Sequence, residues 1–109
     1  MASTFKVLAQ SKPSATTLTD AYTVPGATQA TISTIVVANQ SSSATSFRIS
    51  VAIAGAADTA AQYLYYDIAI PGNDTFAATV GITLGAADVV RVYNTDATLS
   101  FNLFGVEAS

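Results

Sequence analysis

An all-β fold, a single antiparallel β-sandwich of about eight strands, is the expectation for this chain, and three observations carry it. Several segments alternate apolar and polar residues with a period of two, as in SFRISVAIA (46–54) and TFAATVGITL (75–84). β-branched and aromatic residues fill those segments, while helix signals are poor. Turn signals built from Gly, Pro, Ser, Asn and Asp separate them at regular intervals. A jelly-roll-like and an immunoglobulin-like sandwich both fit, and the strand order stays open. With 109 residues, one domain over 1–109 is expected. Its first 14 residues carry Lys, Ser and Pro and are candidates for an N-terminal arm.

Taken in order, FKVLAQ (5–10) and TLTDAYTV (17–24) read as strands, followed by a turn at PGAT. QATISTIVVAN (29–39) is a long strand, and QSSSATS (40–46) a small polar loop. In SFRISVAIA, Phe47, Ile49, Val51 and Ile53 alternate with Arg48, Ser50 and Ala52. GAADTA (55–60) is a loop, with a short helical turn over 56–62 favoured only by its alanines. YLYYDIAI follows, and IPGND reads as a tight type II connection, with proline at its first central position and glycine at its second. TFAATVGITL places Phe76, Ala78, Val80, Ile82 and Leu84 on one side. DVVRVYN (88–94) and TLSFNLFGV (98–106) complete the set, joined by a turn around Thr95 to Ala97. GAAD occurs twice, at Gly55–Asp58 and Gly85–Asp88; a reused turn, with aspartate bonding its own local backbone, explains both copies.

Alternation divides each strand into two faces. In YLYYDIAI, strict alternation sends Leu64, Tyr66, Ile68 and Ile70 to the core and Tyr63, Tyr65, Asp67 and Ala69 outward. By the same rule Val89, Arg91 and Tyr93 oppose Val90 and Val92, while Phe104 and Val106 oppose Leu99, Phe101 and Leu103. The outer faces thus carry much aromatic and apolar surface with few charges. Interface cores are depleted of charge and enriched in tyrosine and phenylalanine, and large apolar patches are uncommon on monomers. Tyr63, Tyr65, Val89, Tyr93, Phe104 and Val106, with Phe5 near the N-terminus, are therefore the candidate interface residues. Burial of the same faces under loops or an N-terminal arm is the competing reading.

Composition excludes several function classes. Charged residues are 10% of the chain, against about 25% in average domains. With four basic residues and a net charge of -3, neither nucleic acid nor an anionic membrane surface is an expected partner. Low charge also leaves little to keep a free monomer dispersed. The N-terminus has no basic stretch followed by an apolar one, so no signal peptide is expected there. There is no Cys and no His. A thiol nucleophile is thus excluded, and so is an imidazole base for a serine nucleophile. Four aspartates, Asp58, Asp74, Asp88 and Asp96, fall at expected turns, and Asp67 is expected to form a surface ion pair with Arg48 or Arg91. No calcium loop, phosphate-binding loop or dinucleotide fingerprint occurs. No catalytic, cofactor-binding or metal-ligating residues are expected, and the chain is not expected to be an enzyme.

The blocks TFKVLAQSKPSATTLTDAYTVPGATQATISTIVVAN, FRISVAIAGAAD, YLYYDIAIPGNDTF, GITLGAADVVRVY and LSFNLFGVE span nearly the whole chain. They resemble a group of small tailed-bacteriophage virion proteins, most specifically in TLTDAYTVP, IPGNDTF and LSFNLFG. The resemblance implies a structural β-sandwich component of the particle, first of all a head decoration (cement) protein, made in the host cytoplasm and residing in the virion. It implies a homo-oligomer, a trimer being one form, bound to the major capsid protein or another virion protein. It implies no catalytic residues. A tail- or fibre-associated module recognising carbohydrate or a host surface is the alternative.

Overall fold

Eight strands carry the described residues, 2–109 of the chain, in a computed structural model. They are β1 (Ser3–Ser11), β2 (Thr19–Thr23), β3 (Gln29–Asn39), β4 (Thr45–Ala52), β5 (Tyr63–Ile70), β6 (Thr75–Leu84), β7 (Val89–Asn94) and β8 (Leu99–Ala108). All pairings are antiparallel, in two four-stranded sheets ordered β1-β8-β3-β6 and β2-β7-β4-β5. Consecutive strands change sheet at every connection except β4 to β5. That order is the double Greek key of a jelly roll, which decides between the two sandwich types.

The core lies between the sheets, where the alternating apolar residues meet. Ile32, Ile35, Val37, Leu99, Phe101 and Leu103 come from the first sheet, and Phe47, Ile49, Val90 and Val92 from the second; all are essentially fully buried. Phe47 is the aromatic centre, with ring centroids 5.1 Å from Phe76 and 6.0 Å from Phe101. Such tilted and edge-on pairs contribute about 0.5–1.5 kcal/mol each beyond area burial.

The N-terminal segment is not an arm. Residues Ser3 to Ser11 form an edge strand paired with β8 from Ser3 opposite Ala108 to Ser11 opposite Phe101. The 56–62 region holds a single 3-10 turn, Ala60–Gln62, and another turn, Ile53–Gly55, precedes it. That earlier turn ends the β4 alternation, so Ile53 points to solvent rather than to the core. The IPGND connection is tight, but Asn73, not Gly72, takes the left-handed conformation (φ 54°). Glycine is needed at 72 for another reason: a Cβ there would lie 2.0 Å from the Ser42 carbonyl oxygen.

β5 departs most from strict alternation. Ile68 pairs with Phe47, and Tyr65 pairs with Ile49, so Tyr66 and Asp67 together oppose Arg48. Two residues facing one define a β-bulge, and Asp67 adopts φ 52° to accommodate it. The bulge reverses the parity of Leu64 to Tyr66; a second register shift, which sets Tyr63 opposite Ser50, returns Tyr63 to the outer face. Leu64 (49% exposed) and Tyr66 (56%) face outward, and Tyr65 turns inward against the core.

The turn reading of the GAAD copies fits the second closely. Asp88 accepts from the Gly85 N–H (2.8 Å), and its other carboxylate oxygen accepts from the Ala54 N–H (2.9 Å) beside the first copy. Asp58 of the first copy instead accepts the Tyr63 hydroxyl (3.1 Å).

Candidate functional site

Residues paired across antiparallel strands share a face, so the register maps the outer surface of the β1-β8-β3-β6 sheet row by row. One row reads Phe5, Val106, Thr31, Thr83. The next reads Val7, Phe104, Thr34, Thr79, and the third Gln10, Asn102, Val36, Ala77. No ionisable side chain stands in these rows. Phe5 is 84% exposed at the sheet edge, Val7 is exposed beside it, and Phe104 and Val106 are half-buried behind them. Three of the expected interface residues, Phe5, Phe104 and Val106, thus meet on one surface. The two charged residues of this sheet, Lys6 and Glu107, sit on its inner side at the open end of the sandwich. There they pair at 2.8 Å, and Glu107 also accepts the Tyr22 hydroxyl of the opposite sheet at 2.5 Å. The ammonium of Lys6, then the Tyr22 hydroxyl, hold the Glu107 carboxyl below the usual carboxylate range. Burial, then the bond to Glu107, pushes the Tyr22 phenol well above its usual value.

The outer surface of the second sheet differs in character. Arg48 bonds Asp67 through Nε (2.6 Å) and Nη2 (3.3 Å). Its guanidinium lies 4.1 Å from the ring centre of Tyr66 and 4.5 Å from that of Tyr93. This hydrogen bond to Asp67 raises the already high Arg48 pKa further. Tyr63 stands perpendicular to Tyr66, with centroids 5.1 Å apart, and donates its hydroxyl to Asp58. Burial, followed by that bond, raises the Tyr63 pKa. Arg48, Asp58, Thr59, Ala60, Tyr63 and Tyr66 line an open concavity of about 510 Å³. Of the expected interface residues, Tyr63 and Tyr93 belong to this surface.

The remaining two, Tyr65 and Val89, do not reach either surface as expected. The β5 bulge turns Tyr65 inward, with its ring 5.5 Å from Phe76 and 6.3 Å from Phe47. Val89 points away from the core, but at 5% exposure it is covered by the β4–β5 loop. Arg91 fastens that loop by donating to the carbonyls of Gly55 (3.1 Å) and Ala56 (2.8 Å) while bonding Asp20. For Val89, burial under a loop is the reading that holds. Sequence reasoning missed Tyr66 and Val7 as surface residues. An aspartate inside a strand pattern was the available signal for the first, because Asp tolerates the left-handed conformation and disfavours regular strand.

The carboxylates have structural partners throughout. Asp20 bonds Arg91, Asp58 bonds Tyr63, Asp67 bonds Arg48, and Glu107 bonds Lys6 and Tyr22. Asp74 and Asp88 accept backbone N–H groups, and Asp96 accepts the Thr45 hydroxyl. Among the described residues, no group of three or more acidic side chains is placed to hold a metal ion. No described helix is long and apolar enough to cross a membrane. Compared with known proteins, the chain matches no family model and no curated protein at a significant level.

Proposed function

We propose that the chain is a non-enzymatic structural protein of a virus particle that associates with its own copies and with the particle shell through the outer face of the β1-β8-β3-β6 sheet. The observation that carries this reading is the uncharged face itself, with Phe5 almost fully exposed on it. Four strands about 4.8 Å apart and some ten residues long span roughly 600 Å² in projection. Side-chain relief brings the accessible area near the ~800 Å² that each partner buries in a standard interface. The same composition is unfavourable in water and favourable between proteins.

The non-enzymatic part rests on chemistry. Without His or Cys, general acid–base work would fall chiefly to carboxylates, and each of these is engaged in holding a turn, a loop or an ion pair. The viral part rests on the sequence blocks that resemble phage virion proteins. Jelly rolls also build many viral capsids, although a shared fold does not by itself define a role. A head decoration protein is the preferred form. Counting copies per purified particle tests it: many copies distributed over the head are expected, and a few copies confined to the tail tip would contradict it. The second reading, a recognition module, is favoured by the aromatic concavity on the opposite sheet.

A further inference from the structure

We propose that the concavity between Tyr63, Tyr66 and Asp58 is a binding site for a neutral pyranose ring of a glycan. The site stands on the sheet opposite the uncharged face, so a copy docked through that face would present it outward. Binding by the isolated chain does not depend on docking.

The chemistry of the walls selects the ligand. Tyr66 is more than half exposed, and Tyr63 meets it at 90°, so the two rings form an aromatic corner. The C–H face of a pyranose is apolar and faintly positive, and it stacks on the electron-rich face of such rings. Sugar hydroxyls then need acceptors and donors at the rim. Asp58 uses Oδ2 for the Tyr63 hydroxyl, and its Oδ1 accepts no hydrogen bond among the described residues. A free carboxylate oxygen can accept from a sugar hydroxyl. Arg48 commits Nε and Nη2 to Asp67 and leaves Nη1 to donate to a ring or hydroxyl oxygen. Thr59 adds a hydroxyl at the same rim. The concavity, about 510 Å³, lies within the ~300–1,000 Å³ typical of small-molecule sites, and it is open enough for a chain to continue beyond the bound ring.

Charge removes the rivals. Arg48 is neutralised by Asp67, and Asp58 leaves the site with a net negative charge, so phosphate, sulfate and sialic or uronic acids are repelled. Arg48 already covers one side of Tyr66, so stacking falls to the exposed remainder of Tyr66 and to Tyr63. An apolar ligand would strip water from Asp58 without replacing it.

The test is a glycan array carrying neutral and acidic glycans, followed by NMR titration of the ¹⁵N-labelled chain with the neutral oligosaccharide that binds best. Neutral glycans alone are expected to bind, with shifts centred on Asp58, Thr59, Tyr63 and Tyr66. Tyr66→Ala and Asp58→Asn are each expected to weaken binding about tenfold or more, whereas Phe5→Asp on the far sheet leaves it unchanged. Each variant is first checked by its thermal melt; Asp58→Asn keeps a side-chain carbonyl for the Tyr63 hydroxyl, so it retains the fold even if Tyr66→Ala does not. No binding of any neutral glycan at millimolar concentration overturns the proposal. So does binding confined to acidic glycans, or full affinity in the Asp58→Asn variant. None of these results bears on the docking reading, which is judged by association and copy number.

Discussion

Asn39 shows how much one buried polar residue can organise. Its Nδ2 donates to the carbonyls of Ser43 (2.9 Å) and Pro71 (3.1 Å), and its Oδ1 accepts from the Ser41 N–H and the Thr98 hydroxyl (both 3.1 Å). Three separate loops at one end of the sandwich therefore converge on a single amide. Asn39→Ala leaves those partners unmatched in a site almost closed to water, and a loss of about 2–4 kcal/mol is expected, read as a lowered urea midpoint. Gly105 is constrained differently: a Cβ there would lie 2.0 Å from the Thr31 carbonyl oxygen. Gly105→Ala must push apart the central strands β8 and β3, at about 1–3 kcal/mol by the same measurement. The Lys6–Glu107–Tyr22 chain gives a pH signature. Glu107 titrates below its ordinary value of 4.5 in the folded state, so its contribution is fully present above that pH and is lost as pH falls through the lower folded value. Tyr22 titrates above its ordinary value of 10, so its contribution holds below pH 10 and is lost as pH rises through the folded value. Glu107→Gln is expected to flatten the acid limb of stability against pH; an unchanged limb would assign acid unfolding to other carboxylates.

At the scale of elements, what alternates was readable and what interrupts alternation was not. QATISTIVVAN and TFAATVGITL became β3 and β6 with the expected bounds, and Leu99, Phe101 and Leu103 became core. In each, apolar burial and local strand preference point the same way. β5 failed the rule because Asp67 inserts one residue opposite Arg48, which exchanges the faces of Leu64 to Tyr66 until a second register shift restores that of Tyr63. Alternation alone cannot locate that insertion, since Tyr65 and Tyr66 are the same residue type. The bulge is testable through its backbone. Asp67→Gly suits φ 52° and is expected to stay within about 1 kcal/mol of the parent. Asp67→Val loses the Arg48 pair just as the glycine variant does, but it also places a β-branched residue at that φ, so a loss of about 2 kcal/mol is expected. Equal melting of the two variants would mean that the bulge imposes no strain on its occupant. The same limit explains the site. Tyr63 was legible as an outer tyrosine, but its pairing with Tyr66 exists only because the bulge turns Tyr66 out. Asp58 was legible only as a turn residue, since its approach to Tyr63 depends on the path of the β4–β5 loop.

The whole molecule has two unlike outer faces. One carries Arg48, Arg91, Asp20, Asp58 and Asp67 among its tyrosines and is partly roofed by the β4–β5 loop; the other has no ionisable side chain in its paired outer rows. Edge strand β1 belongs to the uncharged face and holds its most exposed apolar residue, Phe5, so apolar contact and backbone pairing at a sheet edge are available together. This asymmetry, more than the low charge of the chain as a whole, is what supports the proposed place of association. Three of the seven residues expected at an interface lie on that face, and Phe5 joins Phe104 and Val106 there because β1 pairs with β8 as a strand instead of leaving the sheet as an arm.

Sedimentation of the purified chain over a wide concentration range, beside its Val106→Arg variant, tests the uncharged face most directly. Val106 points outward beside Phe5, so a charge there is expected to leave the thermal melt nearly unchanged. The parent chain is expected to rise above its 11.1 kDa monomer mass as concentration increases, and the variant to remain at it. A parent chain that stays at monomer mass up to millimolar concentration, or a variant that associates as strongly as the parent, would contradict the assignment of that face to association.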